Sequence, residues 1–270
     1  MRNSSTRDFA CLSCILTPRN RSGQVTIFII IGIIIVSLGV LIYSFYPQIK
    51  SALSGEAKNP PDYIQSCIED EIKDAAEELS IHGGDFNPEF YSTFNNIQIK
   101  NLCYTALYCD LCKIQQPQLQ SHIEKEILTK IDDKITSCFA SLESSYKKKG
   151  YTVSLKPGEK QISLLPSRIE GTFNYSLTLT KEDTQKYDSF TVIVNNNLYE
   201  LVTIAKNILD WEASLGNSDV RVYMTLYPNI KIEKKLLSDG TKIYIITDRN
   251  SGNKFEFASR SLVLSPAGYC

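Results

Sequence analysis

The sequence predicts an α+β fold behind one membrane anchor: an N-terminal transmembrane helix, a helical pair, then a mostly antiparallel β-sheet with one further helix. Three observations carry this. Residues 24–46 hold no Asp, Glu, Lys or Arg and are almost wholly apolar. Two later segments repeat apolar residues at every third or fourth position, the period of a helix. After Gly150, short β-branched and aromatic runs follow one another between turn residues, without alternating helices. Successive strands of that kind pair antiparallel.

The anchor comes first. A bilayer core takes about 20 apolar residues in a helix, which satisfies its own backbone hydrogen bonds. Val25 to Tyr46 is long enough, and the rest of the chain is too polar for a second crossing. Arg2, Arg7, Arg19 and Arg21 precede the run, against the single acid Asp8. Cationic flanks stay on the cytoplasmic side. Tyr43, Phe45 and Tyr46 then form an interfacial belt, and Pro47 stops or kinks the helix. Lys50 and Lys58, partly offset by Glu56, weaken this asymmetry without reversing it. The expectation is a cytoplasmic leader or tail over 1–23, a span over 24–46, and a C-terminal domain outside the cell membrane. The apolar core exceeds that of a cleaved secretory signal, and no A-x-A site follows it. Cys11-Leu-Ser-Cys14 has no apolar segment before it, which excludes a lipoprotein signal.

Arg21-Ser-Gly-Gln24, followed at once by Val-Thr-Ile-Phe-Ile-Ile-Ile, resembles the class III signal of archaeal type IV pilin-like proteins. The resemblance implies a cut between Gly23 and Gln24, with the helix kept on the mature protein. Two positions depart from the pattern. Ser22 stands where the family carries Lys or Arg, and Phe28 stands where many pilins carry Glu. The apolar run is similar to that of membrane-anchored surface proteins of small-genome archaea. Tyr63-Ile-Gln-Ser-Cys-Ile68, a helix and then Gly83-Gly84 resemble the opening of their external region. That resemblance implies a second cysteine-bearing helix further on.

Residues 47–60 read as a stalk. Asn59-Pro-Pro-Asp62 is a helix start, opening a helical region over 61–149. The first helix carries Ile64, Cys67, Ile68, Ile72, Ala75, Ala76 and Leu79 on one stripe, and His82-Gly-Gly84 ends it. The second carries Leu119, Ile123, Ile127, Ile131, Ile135, Cys138, Leu142 and Tyr146. Lys147-Lys-Lys-Gly150 closes it, with cations at the negative end of the dipole. An α+β sheet region over 150–270 follows. Tyr151–Leu155 and Gln161–Leu165 read as a hairpin around Pro157-Gly158, and Ile169–Thr180 as one long alternating strand. Phe190–Val194 is a further strand. Asn195-Asn-Asn197 caps a third helix with Leu198, Leu201, Val202, Ala205, Ile208 and Leu209 inward and Gly216 near its end. Val220–Leu226, Ile230–Lys234, Lys242–Thr247 and Lys254–Ala258 complete the strand set.

Eight cysteines divide into Cys11 and Cys14 on the inner side and six outside: Cys67, Cys103, Cys109, Cys112, Cys138 and Cys270. An even number in an outward domain favours disulfides. Cys67 and Cys138 each sit on an apolar stripe and meet if the helices pack. Cys103, Cys109 and Cys112 cluster, with Cys270 as the natural fourth. Cys109-Asp-Leu-Cys112 reads alternatively as a redox pair, but the strand-to-helix context of a thioredoxin-type site is missing.

Net charge is −1 with well-mixed signs, so no basic stripe points to nucleic acid. Two histidines limit metal and acid–base chemistry. His82 reads as an exposed cap and His122 as solvated. No HExxH, GxxxxGK[ST] or GxGxxG occurs. Asn174-Tyr-Ser176 is a glycosylation sequon. The expectation is a non-enzymatic protein without cofactor or metal, working by binding, adhesion or envelope assembly. Its partners are the lipid bilayer and further envelope or pilus-like subunits. The alternative is a membrane-tethered thiol–disulfide oxidoreductase using Cys109 and Cys112.

Overall fold

The computed structural model of the chain describes residues 29–37 and 59–262, in two units that are taken separately. Residues 29–37 are helical (α1), with their aliphatic side chains exposed. No helix among the described residues is long and apolar enough to cross a membrane. The remainder of the 24–46 run, residues 47–58 of the stalk, the Gly23–Gln24 junction, Cys11, Cys14 and Cys270 lie outside the described residues.

The second unit is α+β with mostly antiparallel sheets. Helix α2 (Pro60–Ile81) has proline in its first turn, where the missing N–H costs no hydrogen bond. It buries Ile64, Ile68, Ile72, Ala75, Ala76 and Leu79. Helix α3 (Leu119–Lys148) buries its own aliphatic row against α2. Glu78 meets Lys130, Glu71 meets Lys134, and Cys67 bonds Cys138, so the helices run antiparallel. The two ion pairs are exposed and contribute little. The packed stripes do the work, at about 1.5–3 kcal/mol for each fully buried aliphatic side chain.

Between these helices the chain is not purely helical, contrary to the sequence reading of 61–149. It forms β1 (Tyr91–Phe94), β2 (Ile97–Tyr104) and β3 (Lys113–Ile114). Asn95 and Asn96 join β1 to β2 with φ of 50° and 65°. A two-residue hairpin needs positive φ at both positions, and asparagine tolerates it.

Strands β4 (Thr152–Lys156), β5 (Lys160–Leu165), β6 (Arg168–Phe173), β7 (Ser176–Thr180), β8 (Thr184–Tyr187) and β9 (Phe190–Asn195) make two three-stranded sheets, ordered β4-β7-β8 and β5-β6-β9. Two expectations are corrected here. β4 and β5 do not pair with each other, because Pro157-Gly158 carries the chain from one sheet to the other. The long strand Ile169–Thr180 breaks at Asn174-Tyr175, where Tyr175 turns into the core and stacks on Phe139 at 3.9 Å. Phe173 and Phe190 meet the same Phe139 edge-on.

Helix α4 (Leu198–Leu215) ends at Gly216, whose φ of 73° provides the left-handed cap. Residues Val220–Leu226 form a helix, α5, rather than the expected strand. Their apolar residues fit both periods. Asp219 decides between them, its side chain accepting the Arg221 N–H as an N-cap. The last strands, β10 (Ile230–Leu236), β11 (Lys242–Asp248) and β12 (Lys254–Arg260), join β1 and β2 in the order β1-β2-β12-β11-β10, with β3 on β2. Only the β12–β2 contact is parallel among the pairs described. One face of this sheet packs under α4 and α2, and Ile99, Ile243 and Ala258 form a small cluster apart from the main core.

Candidate functional site

The cysteines settle into a covalent frame. Cys67 and Cys138 are joined with Cα atoms 6.1 Å apart, and Cys103 and Cys112 with Cα atoms 5.3 Å apart. Cys109 is exposed and also disulfide-bonded, and the other four described cysteines are bonded to one another. Cys109 and Cys112 are therefore not joined to each other, as the redox alternative requires. Cys103 and Cys112 are 0% and 3% exposed, whereas thiol exchange needs an accessible, activated sulfur.

The histidines differ from expectation. His82 is partly buried, with Nδ1 2.7 Å from the Gln98 carbonyl of β2. His122 on α3 is an ion-pair partner. The turn after α2 presents Asp85, which contacts His122 Nε2 and lies 2.5 Å from Lys100 Nζ on β2. Glu126, one turn along α3, accepts the Phe86 N–H at 3.5 Å. Asp85, His122 and Glu126 offer ligand atoms within 4.8 Å of one another, a grouping compatible with a metal ion. The Lys100 ammonium lies against two of the three and supplies the positive charge a cation would bring. We read the cluster as an ion-paired joint between the α2 turn, β2 and α3.

Burial alone would raise the Asp85 pKa. The hydrogen bonds from His122 and Lys100, together with their charges, outweigh it and hold the carboxyl below its ordinary value. The unfolded chain then binds more protons between the two values, so the joint stabilises fully above about pH 4 and fades as pH falls through the folded pKa. Asp85→Asn should lose on the order of 1–3 kcal/mol of stability at pH 7, read from urea unfolding. The gap from the native chain should narrow at pH 3. A gap independent of pH would show that the charge is not what matters.

A second cluster lies under α4. Glu212 is fully buried and continues the α4 stripe one step beyond Leu209. Its carboxylate accepts from Lys242 Nζ at 2.7 Å, Ser259 Oγ at 3.1 Å and the Tyr244 hydroxyl. Lys242 also donates to the Gly216 carbonyl at 2.5 Å. Burial, then the Glu212 charge, pushes the Tyr244 pKa up, so the phenol stays protonated and keeps donating. Ser259 is 3.7 Å from Cys112 Sγ, and Ser261 accepts the Cys112 N–H. The network therefore locks α4 to β11, β12 and the Cys103–Cys112 cystine.

Beside it the surface opens into a run of hollows with several exposed apolar side chains. A cleft of about 650 Å³ is lined by Tyr108, Leu215, Leu236, Leu237 and Leu262, with Lys242 at its side. Leu215 leads one turn back along α4 to Trp211, the chain's single tryptophan, which is 51% exposed. Trp211, Val222, Tyr223 and Leu226 line a neighbouring groove of about 330 Å³. Leu226 and Tyr227 then border a third hollow with Tyr199, Glu200 and Asp248. Leu215, Leu226 and Leu236 are each at least 60% exposed. Isolated apolar side chains on a surface are ordinary, but contiguous ones mark contact sites.

The sequence reading expected the Cys67–Cys138 bridge but missed the Asp85 joint, the Glu212 network and the α4–α5 face. Glu212 had a signal, a charge at an inward stripe position. Asp85 and His122 had none, being 37 positions apart with no motif between them. No family model, no curated protein and no solved structure matches the chain.

Proposed function

We propose that the chain is a single-pass surface protein, anchored by the 24–46 helix with its N-terminus cytoplasmic, that displays a disulfide-braced α+β domain for binding or envelope assembly. The pilin-like cut between Gly23 and Gln24 belongs to the same reading. One observation carries it: Cys67, Cys103, Cys109, Cys112 and Cys138 are all disulfide-bonded. Such a frame persists in oxidising surroundings and not among reduced cytosolic thiols. The working surface in this reading is the α4–α5 face around Trp211 and Leu226. It is apolar, open, and fixed rigidly by the Glu212 network beneath.

The test uses native membranes. Protease added to intact cells should remove the domain. A thiol reagent should label no cysteine of the domain until a reductant is added, and the mature N-terminus should be Gln24. Chemical crosslinking should give adducts that fall several-fold in Trp211→Ser/Leu226→Ser with the Cys67–Cys138 and Cys103–Cys112 cystines kept. A protease-protected domain with free thiols would overturn the outward reading. Unchanged adducts would remove the α4–α5 face as the contact surface.

A further inference from the structure

We infer that Asn174 is an N-glycosylation site, its side-chain amide carrying a glycan on the displayed domain; this rests on the outward-facing reading. Asn174-Tyr-Ser176 is the one N-x-S/T sequence between residues 59 and 262. Read as sequence alone, it lies inside a strand. In the fold it does not. Strand β6 ends at Phe173 and β7 begins at Ser176, so Asn174 occupies the two-residue step between two sheets.

That step separates its two side chains. Tyr175 is 3% exposed and stacked on Phe139, while Asn174 is exposed. The surroundings are open as well. Pro157, Gly158 and Glu159 on one side, and Asp188 and Ser189 on the other, are all exposed. The backbone of Asn174 is held by its own N–H donating to the Glu159 carbonyl at 2.8 Å. The side-chain oxygen accepts from Ser189 Oγ at 3.0 Å. The contact uses Oδ1 and not Nδ2, the atom that is glycosylated, and the residue as a whole is exposed. A glycan here displaces no core side chain, and Asn174 is not among the residues that line the α4–α5 hollows.

The co-reactant is a lipid-phosphate-linked glycan brought by a transferase. Asn174 Nδ2 forms a bond to the sugar C1, the C1–oxygen bond to the lipid phosphate breaks, one amide proton passes to a base of the transferase, and the lipid phosphate leaves. No oxidation state changes. Ser176 supplies the hydroxyl that defines the acceptor sequence.

The experiment is mass spectrometry of the protein extracted from its own membranes. Trypsin releases residues 169–181, bounded by Arg168 and Lys181. The expected result is a peptide heavier by one or more sugar units, with fragment ions placing them on Asn174. The increment should vanish in Asn174→Gln and Ser176→Ala and persist in Ser176→Thr, with the Cys67–Cys138 linkage intact in all three. The unmodified peptide mass in protein whose Cys67–Cys138 cystine is formed would overturn the modification and leave the outward reading standing. Free thiols at Cys67 and Cys138 in the same sample would overturn the outward reading, and the modification with it.

Discussion

Cys67→Ala/Cys138→Ala should lose roughly 4 kcal/mol of stability, more than removal of the Cys103–Cys112 bridge. The bridge spans 71 positions, and closing a loop of that length restricts the unfolded chain by about that amount in the chain-entropy account. The Cys103–Cys112 bridge spans only 9, so Cys103→Ala/Cys112→Ala should lose less, roughly 2.5 kcal/mol. Domains hold on the order of 5–15 kcal/mol in all, so the first loss is severe. It should lower the thermal midpoint by about 10 °C in a unit of this size. Urea unfolding of both double variants checks the order. A smaller loss at Cys67/Cys138 than at Cys103/Cys112 would mean that loop length does not govern these bridges, and that packing of the sulfurs does.

Glu212→Leu should be as damaging, for a different reason. It leaves the Lys242 ammonium, 11% exposed, with only the Gly216 carbonyl, and strands the Tyr244 hydroxyl. Breaking one side of a buried pair typically costs about 3–5 kcal/mol, much of it the unpaired charge left behind. Lys242→Met should do similar harm by leaving the buried Glu212 carboxylate with only the Tyr244 and Ser259 hydroxyls and no counter-charge. Glu212→Leu/Lys242→Met removes both charges and should be clearly less unstable than the sum of the two singles. A double-mutant cycle read from urea midpoints gives the coupling. Simple additivity would show that the pair is not a unit. The α4–α5 face stands on this network, so the singles should also loosen the Trp211 environment, visible as a red shift in its emission.

The long helices were legible because their signal is redundant. Eight stripe positions in α3 agree on one period, and no local feature contradicts them. Strands β9 to β12 were legible as β-branched and aromatic runs between turn residues. The failures occur where two signals compete over a few residues. In Val220–Leu226 the apolar residues at 220, 222, 224 and 226 alternate, while 220, 223 and 224 also share a helix face. A single cap at Asp219 outweighs the alternation. In Ile169–Thr180 the alternation is real but belongs to two sheets, and the break is set by where Tyr175 finds Phe139. Pairing is harder still, since no local pattern tells β4 to pass over β5 for β7. The sites follow the same logic. The cysteines stand out by type and lie on readable stripes. The Asp85 joint and the Glu212 network arise only when distant elements dock.

The parallel ladder between β2 and β12 has a consequence for how the nascent chain matures. Asn101 pairs with Ala258, roughly 160 positions later, and contacts of such long sequence separation form slowly. α2 and α3 need only the first 148 residues to pack and to oxidise Cys67 with Cys138. A half-emerged chain is thus a cross-linked helical hairpin beside a β1–β2 ribbon whose inner edge still waits for a partner. An unpaired edge of that sort invites other strands. A stop between Lys148 and Lys254 should leave a species that is correctly cross-linked yet prone to aggregate, so for this domain a formed cystine is no proof of a finished fold.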